Sequence, residues 1–136
     1  MIGVLVVTHG NFSESIIKSM ELIFGHHDKL EALTLNHGDD VQELLRKVRE
    51  KSKELDDGDG VIVLVDLLGG SPCNVTASCL REENIQCVTG LNLPMLINVL
   101  ENRTEISLNS LPEVAMEGGK NGIVGPFHRS GHSACI

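Results

Sequence analysis

Val61-Ile62-Val63-Leu64-Val65-Asp66-Leu67-Leu68-Gly69-Gly70-Ser71-Pro72-Cys73-Asn74 joins three signals in one stretch. Five consecutive aliphatics between Gly60 and Asp66 predict a strand covered on both faces, the pattern of a parallel sheet rather than of a half-solvated hairpin. The strand ends in a carboxylate, and Gly69-Gly70 then turns the chain into a helix opened by Ser71 and Pro72, which is predicted to run to about Leu80. Backbone N–H groups at such a strand-to-helix turn, together with the positive end of the helix dipole, favour an anion. An ordinary Gly-Gly turn followed by a Ser cap would read the same way from spacing alone.

The nearest parallel in the chain is its beginning. Ile2 to Thr8 is apolar and rich in Val, and His9-Gly10 ends it. A helix follows from Ser13 to Phe24, with Ile16, Ile17, Met20, Ile23 and Phe24 at helical spacing, Ser13 as the expected N-cap and Gly25 as the stop. Leu30 to Leu35 reads as a second strand nearer the sheet edge. Asp39 or Asp40 then starts an amphipathic helix carrying Val41, Leu44, Leu45, Val48 and Leu55, and Asp39 with Gln42 resembles a capping box. Ile85 to Thr89 is the fourth strand, and Leu93-Pro94 opens a further helix. Gly122-Ile123-Val124 has the composition of a short terminal strand, and from Gly125 to Ile136 the chain has no periodicity and reads as a flexible tail. The expected organisation is one domain over residues 1–124 with a tail over 125–136.

Strands alternating with helices predict a doubly wound α/β domain with right-handed crossovers. In the 2-1-3-4 strand order, strands one and three are neighbours, and the switch point beyond their carboxyl ends is where such sheets bind ligands. His9 and Asp66 would then meet there. A carboxylate on one ring nitrogen fixes the tautomer and leaves the other nitrogen as a nucleophile or base, although a lone histidine can equally do no more than close a strand. Asn74, one turn into the helix, either faces the same pocket or is a solvated polar residue.

Composition removes several functions. A net charge of −8 and three Phe with no Trp or Tyr argue against nucleic acid, which needs basic patches and stacking aromatics, and against an anionic membrane surface. The four cysteines lack CxxC spacing and no secretory leader is recognisable, so reduced thiols in a cytoplasm fit best. No apolar run approaches the roughly eighteen residues of a spanning helix. There is no GxxxxGK[ST], no GxGxxG and no GxSxG, which disfavours nucleotide loops and a serine elbow. Cys73, at a helix N-terminus, is either a small apolar filler or an activated thiol. His37 reads as a turn residue, His26-His27-Asp28 as an exposed loop, and His128, His132 and Cys135 as tail residues able to take up stray metal, so no metal site is expected.

Val7-Thr8-His9-Gly10 paired with the D-x-x-G-G-S-P-x-N stretch from Asp66 to Asn74 resembles the IIA component of the mannose, fructose and sorbose class of the bacterial phosphoenolpyruvate-dependent sugar phosphotransferase system. The similarity runs from Met1 to about Val124. It implies a phosphohistidine carrier in which His9 accepts a phosphoryl group from phospho-HPr and passes it to a IIB component. Asp66 would orient the imidazole, and Gly10, Gly69, Gly70, Ser71 and Asn74 would form the phosphate-binding set. The resemblance further implies no cofactor, a homodimer with an exchanged C-terminal strand, and membrane contact only through IIC and IID components. The polar tail after Val124 departs from the family pattern, as does Leu68, where many relatives carry an aromatic. A regulatory IIA-like module, a dihydroxyacetone-kinase phosphoryl-donor subunit and a non-catalytic anion-binding module are the alternatives.

Overall fold

The computed structural model describes residues 1–80 and 84–127. Four strands, β1 (Gly3–His9), β2 (Leu30–Leu35), β3 (Val61–Val65) and β4 (Ile85–Val88), form one parallel sheet in the order β2-β1-β3-β4. The helices are α1 (Phe12–Phe24), α2 (Val41–Leu55), α3 (Ser71–Cys79), α4 (Leu93–Asn102) and α5 (Leu111–Asn121). This is the predicted doubly wound architecture, with β2 on an edge.

The unbroken apolar runs of β1 and β3 have a direct cause. Successive side chains of a strand point to opposite faces, and here both faces are covered. Val4, Val6, Ile62 and Leu64 pack with Ile16 and Met20 of α1, Leu96 and Val99 of α4 and Leu111 of α5. Leu5, Val7, Val61, Val63 and Val65 pack on the other face with Leu44 and Val48 of α2 and Val75 of α3. All five β3 residues are fully inaccessible, each such side chain contributing about 1.5–3 kcal/mol by burial.

The structure corrects two expected caps. Ser13 lies inside α1, not at its N-cap, which is Asn11. Ser13 is fully buried and cross-links three elements: its N–H donates to Thr8 Oγ1 (2.8 Å) and its hydroxyl donates to Leu33 O (2.9 Å). Asp39 and Gln42 form no capping box. Asp40 is the N-cap, its carboxylate accepting from Gln42 N–H (2.9 Å), while Asp39 accepts from Asn36 N–H (2.7 Å) and closes the preceding turn.

Helix α5 has no counterpart among the elements expected from sequence, because its small residues weaken the apolar pattern. Those residues permit close packing: a Cβ on Gly118 would lie 2.6 Å from Asn98 Cβ of α4. Asn98 Nδ2 donates to Val114 O (2.8 Å) and Asn92 Nδ2 to Gly119 O (3.1 Å), sewing α4 to α5. Gly122-Ile123-Val124 forms no strand within the single chain; it leaves α5 with Ile123 and Val124 exposed. Of the predicted tail, 125–127 is irregular and 128–136 lies outside the described residues. No helix among the described residues is long and apolar enough to cross a membrane.

A buried arginine anchors the sheet end opposite the His9 end. Arg103, following α4, is 3% exposed and donates to Ile2 O (3.3 Å), Lys29 O (3.0 Å) and Asp28 O (2.5 Å). Nothing in its sequence surroundings marks it.

Candidate functional site

Parallel pairing sets Val7 of β1 opposite Val65 of β3, so the residues just beyond these positions emerge side by side at the carboxyl edge. Asp66 Oδ2 accepts from both the His9 backbone N–H (2.9 Å) and the ring Nδ1 (2.7 Å), and Oδ1 accepts from Leu67 N–H (3.0 Å). An ionised carboxylate only accepts, so this network assigns the proton to Nδ1 and leaves the Nε2 lone pair free. The His9 side chain is 46% exposed and that of Asp66 only 12%. Burial opposes ionisation of Asp66, but the bonds from His9 N–H and the imidazole, the imidazole's charge and the Leu67 N–H outweigh it and hold the carboxyl below its ordinary range.

The expected phosphate-binding residues surround this pair in different capacities. Gly69 has φ +84°, a left-handed turn conformation that favours glycine, and Gly70 is the N-cap of α3. Gly70 lies against the imidazole, where a Cβ would be 2.7 Å from His9 Cε1 and 3.4 Å from Nε2. Ser71 opens α3 and Pro72, without an N–H, follows, so the first-turn amides of Ser71 and Cys73 face the helix N-terminus without intrahelical acceptors. Asn74 is exposed; its N–H donates to Gly70 O (2.9 Å) and its Nδ2 to Gly69 O (3.4 Å), bracing the loop. Gly10, with φ +58°, supplies the turn out of β1, and its N–H is already given to Leu35 O (2.8 Å).

Sequence reasoning overlooks the scaffolding of the pair. Gly90 N–H donates to Asp66 O (3.2 Å) and Leu91 N–H to Val65 O (3.1 Å), so the β4–α4 loop pins the strand end that presents the carboxylate. The Thr8–Ser13 bond fixes α1 beside His9 in the same way. The Gly90 and Leu91 bonds run between backbone groups and leave no residue-type signature, whereas the Thr8 bond uses a side-chain hydroxyl.

The other candidates stay apart. His37 is exposed in a turn, and Asp39 is engaged by Asn36. His26 and Asp28 form an exposed pair at 3.3 Å, while His27 stacks on Phe24 with ring centroids 4.6 Å apart. No group of three metal-ligating side chains occurs among the described residues, and His128, His132 and Cys135 lie outside them. Cys73 and Cys87 are partly buried against the core between α2, α3 and the sheet, and burial, with Cys73 nearby, pushes the Cys87 thiol up to about 12.

Comparison with known proteins identifies the family. The family model described as PTS system fructose IIA component matches residues 3–116. The fructose-specific EIIA component of Bacillus subtilis (strain 168) is 34% identical over 112 residues, spanning 82% of this chain and 77% of that protein. The mannose-specific EIIAB component of Escherichia coli (strain K12) is 30% identical over 124 residues, 90% of this chain but only 38% of the longer relative. Among solved structures, the phosphotransferase system component EIIA from Streptococcus agalactiae superposes with a TM-score of 0.85 at 30% identity, covering 92% of this chain and 97% of that one. The chain therefore belongs to the IIA components of the mannose, fructose and sorbose class of the sugar phosphotransferase system, a family of phosphoryl carriers.

Proposed function

We propose that this chain carries a phosphoryl group on His9 Nε2, taking it from phospho-HPr and giving it to a IIB component. One observation carries the reading: Asp66 occupies Nδ1 at 2.7 Å, which leaves Nε2 as the nucleophile beside the N-terminus of α3. Nε2 attacks the phosphorus of the donor phosphohistidine as the donor nitrogen–phosphorus bond breaks in line. The ring then becomes a phosphoimidazolium whose Nδ1–H faces an ionised carboxylate. Charge-assisted bonds of this kind are roughly twice as strong as neutral ones, so Asp66 stabilises the charged carrier form. The Ser71 hydroxyl and the amides of Gly69, Gly70 and Ser71 would receive the phosphoryl oxygens, with the helix dipole adding about 0.3–1 kcal/mol. Asn74 and Gly10 shape the loop and the turn around that seat. No metal, nucleotide or free sugar is required.

The half-exposed ring suits exchange between proteins, since the attacking atom is reachable by a partner's phosphohistidine. Exposed Leu67 and Leu68, which follow Asp66, and exposed Phe12, which opens α1 three residues after His9, would offer an apolar rim for docking. Working in the cytoplasm, the carrier would reach the membrane only through IIC and IID partners. The same reading makes the protein a homodimer: β4 is an open edge, and the exposed Ile123-Val124 segment would add a strand to a second copy.

Incubation with phosphoenolpyruvate, enzyme I and HPr tests the carrier role. A mass gain of one phosphoryl group is expected on the wild type and none on His9→Gln. Acid-labile phosphate persisting on His9→Gln would overturn it.

A further inference from the structure

Gly70 has no conformational reason to be glycine. Its φ of −78° and ψ of 167° are extended values open to every residue, and as the N-cap of α3 it occupies a position where Ser, Asp or Asn would stabilise the helix better. What glycine alone permits is the approach of the imidazole. A Cβ there would meet His9 Cε1 at 2.7 Å, Nε2 at 3.4 Å and Leu67 Cδ1 at 3.6 Å. Carbon atoms rest about 3.5–4.0 Å apart, so the ring would have to retreat by roughly 1 Å.

That retreat has a specific consequence, because among the described residues the ring's hydrogen bond is the 2.7 Å bond from Nδ1 to Asp66 Oδ2. A shift of about 1 Å takes such a bond out of hydrogen-bonding range or rotates the ring about it. We infer that Gly70 is a positioning residue for His9: the lack of a Cβ lets the imidazole edge rest against the Gly70 backbone, which keeps Nδ1 on Asp66 and Nε2 over the N-terminus of α3. The inference deepens the carrier reading and rests on it. It assigns Gly70 a steric role distinct from that of an amide donor, a role that an alanine, which keeps the amide, would abolish.

Gly70→Ala in the full-length protein tests this. Imidazole ¹⁵N spectra of the unphosphorylated wild type should show His9 with the proton on Nδ1, and those of Gly70→Ala a mixed tautomer. Transfer from saturating phospho-HPr should slow by about a hundredfold, the scale of a 1 Å misplacement. Because the effect acts through one bond, adding Gly70→Ala to Asp66→Asn should slow transfer little further. The loss of stability in Gly70→Ala should shrink when His9→Ala removes the ring, leaving only the cost of replacing a glycine N-cap by alanine, a comparison that still decides the matter if the single variant folds poorly. A wild-type tautomer and rate in Gly70→Ala, or a stability loss undiminished without the ring, would overturn the inference. Absence of label on wild-type His9 would instead strike the carrier role and leave the tautomer result to stand by itself.

Discussion

Replacing Asp66 by Asn alters the site by one atom and one charge, and the hydrogen-bond geometry sets the outcome. Oδ2 accepts two N–H groups of His9 and Oδ1 accepts Leu67 N–H. An amide cannot serve all three. With its oxygen toward His9, its NH₂ opposes the Leu67 N–H; with its oxygen toward Leu67, its NH₂ faces the His9 amide and forces Nδ1 to become an acceptor. The second arrangement moves the ring proton to Nε2, the atom proposed as nucleophile. Even in the first, the phosphoimidazolium loses its counter-charge, worth about 4 kcal/mol at contact distance for an effective dielectric near 20. The ring is 46% exposed, and solvent screening trims that figure. A slowing of roughly 10²- to 10³-fold, or about 3–4 kcal/mol, is expected in rapid-quench transfer from phospho-HPr. The fold should persist, since Asp66 lies at the edge of the core.

The same substitution should change the pH dependence of transfer. Asp66 has a depressed folded pKa, so its contribution is present above the ordinary carboxylate range and lost as pH falls through the folded value. The wild type should keep its transfer activity to lower pH than a normal aspartate would allow, and Asp66→Asn should lack that acid limb. Equal rates and equal ¹⁵N tautomer spectra for the two proteins would refute the reasoning.

Three further outcomes concern the frame and the assembly. Arg103→Met keeps the aliphatic stem but removes the guanidinium bonds to three carbonyls, of which Lys29 O keeps the Val4 N–H (2.9 Å), and denaturant unfolding should show a loss of about 2–3 kcal/mol; a change near zero would mean that water replaces the guanidinium freely. Asp56 accepts from Gly58 N–H (2.8 Å) and Gly60 N–H (3.0 Å); the Gly58 bond is the larger cause of its lowered pKa, which holds against partial burial. Its contribution exists above the unfolded value of about 4 and disappears below the folded one, so Asp56→Asn should be less stable at neutral pH yet converge with the wild type in acid melts. Removing residues 121–136 should give monomers or aggregates in light scattering while removing 125–136 leaves dimers, and a stable monomer of the intact chain at micromolar concentration would end the dimer reading.

Much of this molecule is legible in its residues because a parallel sheet writes itself plainly. Strands buried on both faces must be continuously apolar, and Val61 to Val65 could be little else. The placement of His9 and Asp66 comes from the same logic, since each ends such a strand and the 2-1-3-4 order makes those strands neighbours. Helix α5 is hidden for the opposite reason: Gly118 and Gly119 help it by being small, and smallness gives no periodic signal. Ser13 and Asp39 look like caps in sequence but spend their polar groups on Leu33 and Asn36, choices made by depth and loop closure. Sequence alone therefore determined the four strands, the helices α1 to α4 and which two side chains end the central strands, because burial and turn chemistry act locally. Only the tertiary structure decided that Nδ1 is the occupied nitrogen, that Gly70 walls the ring, and that Arg103, Gly90 and Leu91 hold the frame, because each depends on atoms distant in the chain meeting within about 3 Å.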